Sequence, residues 1–134
     1  MRKNYYLNLL SSKTFKEKPF IILLRSIILL FLDIFKIKKR FSIKHEKINF
    51  SFLYLPGLKK KSGGRGLYIY REKIEDLMEF GHQFIENDNH CIDGGANQGI
   101  FSLSFASVVG GKGKILAVEP FDYCINILKN NAME

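Results

Sequence analysis

The stretch Cys91-Ile92-Asp93-Gly94-Gly95-Ala96-Asn97-Gln98-Gly99 constrains this chain more than any other. A short apolar run ends in an acid and enters a glycine-rich turn, and the apolar run Ile100 to Val109 follows with helical character. Gly110-Gly111-Lys112-Gly113 stops that run, and Lys114 to Glu119 is a second apolar strand ending in an acid. Strand, turn, helix and strand in this order make a βαβ unit, the first of a nucleotide-binding α/β domain. Asp93 and Glu119 then stand at the carboxyl ends of parallel strands, where open α/β sheets bind ligands.

Each residue type in the turn has a physical reason. Gly95 and Gly99 permit positive φ and let the backbone approach a ligand without a Cβ clash. Gly99 also lets the following helix sit close to the sheet, and the start of that helix presents free N–H groups. Asp93 can accept a hydrogen bond from an ammonium or an N–H, and Glu119 can accept bonds from both hydroxyls of a ribose. Rival glycine motifs fit worse. Gly94 and Gly99 have the spacing of a phosphate-binding loop, but Ile100-Phe101 replaces its Lys-Ser/Thr, and Gly-x-Gly-x-x-Gly is absent. A ligand-free turn is the bland alternative, and the two strand-end acids argue against it.

The remainder of the chain is of a different character. Residues 1–61 carry 15 Lys+Arg against 3 Asp+Glu, a net of +12, whereas residues 62–134 carry 6 against 10, a net of −4. The basic half could favour an anionic membrane surface or nucleic acid, but it holds no recognisable nucleic-acid module. Residues 1–18 are polar and basic, and we expect them to pack poorly. Pro19 to Phe35 is apolar apart from a narrow stripe of Arg25, Ser26 and Asp33. Three readings of it stand: a helix packed in protein or lying in a membrane interface, a spanning helix, and a signal peptide. Arg25 near the middle weighs against spanning, and the basic run Lys36 to Arg40 weighs against a signal peptide. Ile48 to Tyr54 alternates as a strand, Lys59 to Gly66 reads as a basic glycine-rich loop, and Leu67 to Tyr70 reads as a second strand pairing with the first. A helix is expected over 72–85, and another over Asp122 to Asn130 with Ile125 and Leu128 inward. Cys91 and Cys124 have no CxxC partner and His45, His82 and His90 are scattered, so no metal spacing appears and the thiols read as reduced core residues. His82 reads as a surface histidine and His90 as structural.

Ile92 to Ser102, then Gly113-Lys-Ile-Leu-Ala-Val-Glu-Pro120, then Leu128-Lys-Asn-Asn131 together resemble the opening of FkbM-type S-adenosylmethionine-dependent methyltransferases. The resemblance covers about residues 65–131, and its Gly-Ala-Asn-x-Gly core with a downstream Glu-Pro is fairly specific. Gly94 and Gln98 depart from the family pattern, which usually has an apolar residue at each position. The resemblance implies a Rossmann-like class I methyltransferase fold. It also implies O-methylation of a sugar or other hydroxyl-bearing small molecule. Carried over, Asp93, Gly95, Ala96, Asn97 and Gly99 would line the S-adenosylmethionine, Glu119 would bind its ribose, and helix 72–85 would cover its edge.

The expected organisation is therefore an α/β chain: residues 1–64 as a basic region with an apolar helix at 19–36 and a short strand pair, and residues 65–134 as the N-terminal part of a methyltransferase domain. Only two strands of the seven-stranded sheet that the resemblance implies are present, so the reading expects an incomplete catalytic domain and names no catalytic base. The competing expectation is a non-catalytic remnant with a membrane-associating basic helix. Either way the chain is expected in the cytoplasm, with no nucleic-acid partner and with peripheral membrane contact through residues 19–40.

Overall fold

A computed structural model of the chain describes residues 13–45, 48–57, 63–71 and 76–133. The first twelve residues of the polar stretch 1–18, the first half of the expected basic loop (59–62) and the start of the helix expected at 72–85 (72–75) lie outside the described residues. Described are six helices and two two-stranded sheets, one antiparallel and one parallel.

A single turn, α1 (Lys13–Glu17), leads into α2 (Pro19–Ile34). Proline at the first position suits the fixed φ and missing N–H of a helix start. Lys36 ends the helix in the left-handed region (φ 56°), and the Ile37 N–H returns to the Leu32 carbonyl at 2.9 Å, which satisfies a terminal carbonyl. Among the described residues, no helix is long and apolar enough to cross a membrane.

β1 (Lys39–His45) and β2 (Ile48–Tyr54) form an antiparallel hairpin with Phe41 opposite Phe52 and Ile43 opposite Phe50. The alternation puts Phe41, Ile43, Ile48, Phe50, Phe52 and Tyr54 on one face, all buried. That face packs with Leu29 and Leu32 of α2 and with Tyr68 and Ile69 of α3 (Gly63–Tyr70) to make the main core. The Phe41 and Tyr68 rings meet edge to face with centroids 5.0 Å apart.

Two sequence expectations are corrected here. The partner of β2 is the segment before it, not Leu67–Tyr70, and Gly63–Tyr70, which takes in the end of the expected loop as well as the expected second strand, is helical. The glycines explain the second change. A Cβ on Gly64 would come within 3.0 Å of both Phe52 and Gln98, so the bare backbone lets α3 press directly onto β2. Burial of Tyr68 and Ile69 then outweighs the poor helix propensity of three glycines.

After α4 (Asp76–His82), β3 (His90–Gly94) and β4 (Lys114–Val118) pair in parallel, connected by α5 (Ile100–Val109) and followed by α6 (Asp122–Ala132). The expected strand–turn–helix–strand–helix order is therefore present. On α6 the fully buried positions are Cys124, Ile127 and Asn131, with Ile125 and Leu128 only partly buried, which rotates the inward stripe from the one expected. One face of the parallel pair, carrying Cys91, Asp93, Ile115 and Ala117, is partly covered, and the other leaves Ile92, Leu116 and Val118 exposed.

Helices α5 and α6 also reach the hairpin. The N–H groups of Asn49 and Leu53 donate to Ser107 Oγ at 3.3 Å and Asn131 Oδ1 at 2.7 Å. Polar side chains of the second half thus satisfy the edge of β2 that β1 leaves open.

Candidate functional site

The parallel register sets Asp93 beside Ala117 and Gly94 beside Val118, so both strands end at one level. The chain leaving β3 turns back over β4: the N–H groups of Gly95 and Ala96 both donate to the Val118 carbonyl, at 2.8 and 3.0 Å. This tight reversal requires left-handed backbone at Gly95 (φ 78°), Asn97 (φ 50°) and Gly99 (φ 88°). Glycine and asparagine are the residue types that adopt it most readily.

Glu119 lies immediately past β4 and holds this turn. Its Oε2 accepts the Asn97 N–H at 2.9 Å and its Oε1 accepts the Phe121 N–H at 3.0 Å. A carboxylate offers about four acceptor sites, so two backbone bonds leave capacity for hydroxyl donors. The turn is tied a second way, because the buried Cys124 thiol donates to Asn97 Oδ1 at 3.3 Å. Both cysteines are unpaired thiols.

Asp93 faces the helix side of the sheet. Its Oδ2 accepts the Ser102 hydroxyl at 2.6 Å, which fixes the carboxylate beside the first turn of α5. Gly99 caps that helix without a side-chain hydrogen bond, so its first N–H groups have no side-chain acceptor there. Ala96 and Gln98 are buried, whereas Gly94, Gly95 and Asn97 are exposed. A Cβ built on Gly94 or Gly95 would meet no atom within 4 Å, so the turn opens onto free space. At Gly99 it would sit 3.0 Å from Leu128 of α6.

The structure thus gathers Gly95, Ala96, Asn97, Gly99 and Glu119 into one hydrogen-bonded unit, with Asp93 beneath it. It adds Phe121 and Tyr123, both exposed, with ring centroids 6.2 Å apart, directly after Glu119. Two aromatics within four residues of a strand-end acid were the available sequence signal for them.

The histidines stand elsewhere. His90 begins β3, at the opposite end of the strand from the turn. His82, expected at the surface, is partly buried: its Nε2 lies 2.7 Å from Ser104 Oγ and its ring meets Phe105 edge-on. Burial pushes its pKa below the ordinary histidine value. The described part of the helix expected at 72–85 contacts α5 beyond its first turn, at Ser104 and Phe105. No three metal-ligating side chains converge among the described residues. A cavity of about 250 Å³ lies between β4 and helices α5 and α6, walled by Leu103, Ala106, Ile115, Ala117 and Leu128. Its walls are mostly apolar, with Ser102 as the one hydroxyl-bearing lining residue.

Comparison with protein-family models, curated proteins and solved structures finds no match to this chain.

Proposed function

We propose that this chain carries the cofactor-binding unit of an S-adenosylmethionine-dependent O-methyltransferase of FkbM type, acting on a hydroxyl-bearing small molecule such as a saccharide. The observation that carries the reading is Glu119. Its carboxylate bridges the glycine turn and the exit of β4 while keeping acceptor capacity at the open end of a parallel strand pair. The same position at the end of a second strand is where an adenosine ribose finds its acceptor in dinucleotide-binding folds.

The residues fit the cofactor chemically. Gly94 and Gly95 leave room for a ligand to approach the backbone. The first turn of α5 presents backbone N–H groups toward this end of the sheet. Phe121 and Tyr123 offer an apolar platform suited to a purine face. Asp93, held by Ser102, supplies negative charge near a cationic centre. When bound, S-adenosylmethionine would supply an electrophilic methyl group. The chain's own contribution is binding and orientation of the donor.

Calorimetric titration with S-adenosylhomocysteine tests the reading, with Glu119→Ala as control and circular dichroism to verify that the control is folded. Saturable binding that weakens at least tenfold in the control is expected. A folded native chain that shows no heat of binding at millimolar ligand ends the proposal.

A further inference from the structure

Helix α2 is turned inside out. Its charged groups face the protein: Arg25 donates to the Ile69 carbonyl at 3.2 Å and Asp33 accepts from Tyr54 and Arg65, while the half-buried Ser26 returns its hydroxyl to the Ile22 carbonyl of the same helix at 2.8 Å. Ile22, Leu29 and Leu32 complete that inward side. The opposite side is a continuous stripe of Phe20, Leu24, Ile27, Phe31 and Ile34, at positions i, i+4, i+7, i+11 and i+14. All five are more than half exposed, and Phe20 is 86 % exposed. A helix in water normally presents the reverse arrangement.

The charges around the stripe are predominantly positive. Lys16 and Lys18 are exposed before the helix, and Lys36, Lys38 and Lys39 are exposed after it. Between residues 15 and 40, Glu17 is the one exposed acid among the described residues. A second copy of the chain docking through this stripe would set lysines against lysines, whether the two helices ran parallel or antiparallel. An anionic surface has no such conflict. At 16 residues the helix is about 24 Å long, short of the roughly 30 Å of a bilayer's hydrocarbon core, so upright insertion does not fit.

We infer that α2 docks on an anionic phospholipid bilayer, lying flat in the interface with its apolar stripe in the acyl boundary and the five lysines at the headgroups. Long lysine stems reach outward from an apolar stripe to phosphate level without burying their charge. This inference is independent of the cofactor-binding reading.

Vesicle flotation of the full chain is the test, comparing pure phosphatidylcholine with vesicles containing phosphatidylserine. Binding to the anionic vesicles is expected, falling with added salt and by about fivefold for each lysine neutralised among Lys36→Ala, Lys38→Ala and Lys39→Ala. Ile27→Glu and Phe31→Glu should each reduce binding at least tenfold. Both side chains point away from the core, and an unchanged circular dichroism spectrum will verify their folding. Failure to float with anionic vesicles overturns the inference, as does binding that ignores Ile27→Glu and Phe31→Glu. A sedimenting dimer that Phe31→Glu dissolves, with no lipid binding, overturns it in favour of self-association.

Discussion

The Leu53 N–H donates to Asn131 Oδ1 at 2.7 Å across 78 positions of sequence, and the same side chain's Nδ2 donates to the Gln98 carbonyl at 3.3 Å. One buried amide therefore joins the open edge of the hairpin to the glycine turn. Asn131→Ala leaves an N–H and a carbonyl without partners in a site only 3 % exposed. We expect a loss of about 2–4 kcal/mol from two buried unsatisfied groups. Urea denaturation checks this, with a lower midpoint at unchanged slope.

The three glycines at the end of β3 should respond in a graded way to alanine. Gly94 has ordinary φ and open space, so Gly94→Ala is expected to change stability by less than about 0.5 kcal/mol. Gly95→Ala keeps the space but forces a Cβ into left-handed backbone, costing about 1–2 kcal/mol. Gly99→Ala adds a 3.0 Å approach to Leu128 to the same strain and should be the worst of the three. Thermal melts of the series establish the order, and equal effects at Gly94 and Gly99 would contradict the geometry described above.

Glu119 has a structural role apart from any ligand. Glu119→Gln turns one acceptor oxygen into an NH₂ donor, which must face either the Asn97 or the Phe121 N–H. Loss of that bond is expected to lower stability by about 1–2 kcal/mol. Amide hydrogen exchange at Asn97 or Phe121 should accelerate while exchange in the hairpin core is unchanged.

Asp33, Tyr54 and Arg65 form a cluster that pins α2 to the hairpin and α3. Burial alone would raise the Asp33 pKa, but hydrogen bonds from Tyr54 and Arg65 and the guanidinium charge outweigh it and hold the carboxyl below its ordinary value. Its stabilisation is fully present above the unfolded-state value of about 3.9 and is lost as pH falls through the folded-state value. The Tyr54 phenol is pushed upward, first by burial and then by its bond to Asp33. That contribution is present below about pH 10 and is lost as pH rises further. Asp33→Asn should cost about 1–3 kcal/mol near neutrality and flatten the acid limb. Tyr54→Phe should flatten the alkaline limb. Urea midpoints measured from pH 2.5 to 11 separate the two.

The parallel unit was legible because its signals are local. Short apolar runs ending in an acid, two glycine clusters and an apolar run of ten residues each act within a few positions of themselves, and β3, α5 and β4 fall where they point. The apolar helix after Pro19 was legible for the same reason. β1 was missed because its start overlaps the basic run Lys36 to Arg40 that follows the apolar helix, although Phe41 and Ile43 alternate with Ser42 and Lys44. α3 was missed because three glycines and alternating aromatics argue for extended chain, and only the close approach of Gly64 to Phe52 reverses that. In the candidate site, Asp93, the turn and Glu119 were visible in sequence. The Cys124 and Asn131 contacts were not, because each depends on how α6 returns across the turn. The inward aim of the polar stripe on α2 was equally hidden, since a nearly all-apolar helix does not announce which side meets protein.

The bond from β2 to Asn131 also has a consequence in time. A ribosome adding roughly 5–20 residues per second needs about 4–16 s to travel from Leu53 to Asn131. For that interval the hairpin exists as nascent chain with the edge amide of Leu53 lacking its acceptor, next to a strand whose inner face is aromatic. Unpaired strand edges of this kind recruit other strands. The last helix therefore acts on the hairpin as a late-arriving guard, and slowing translation between codons 53 and 131 should raise the fraction of chains lost to aggregation.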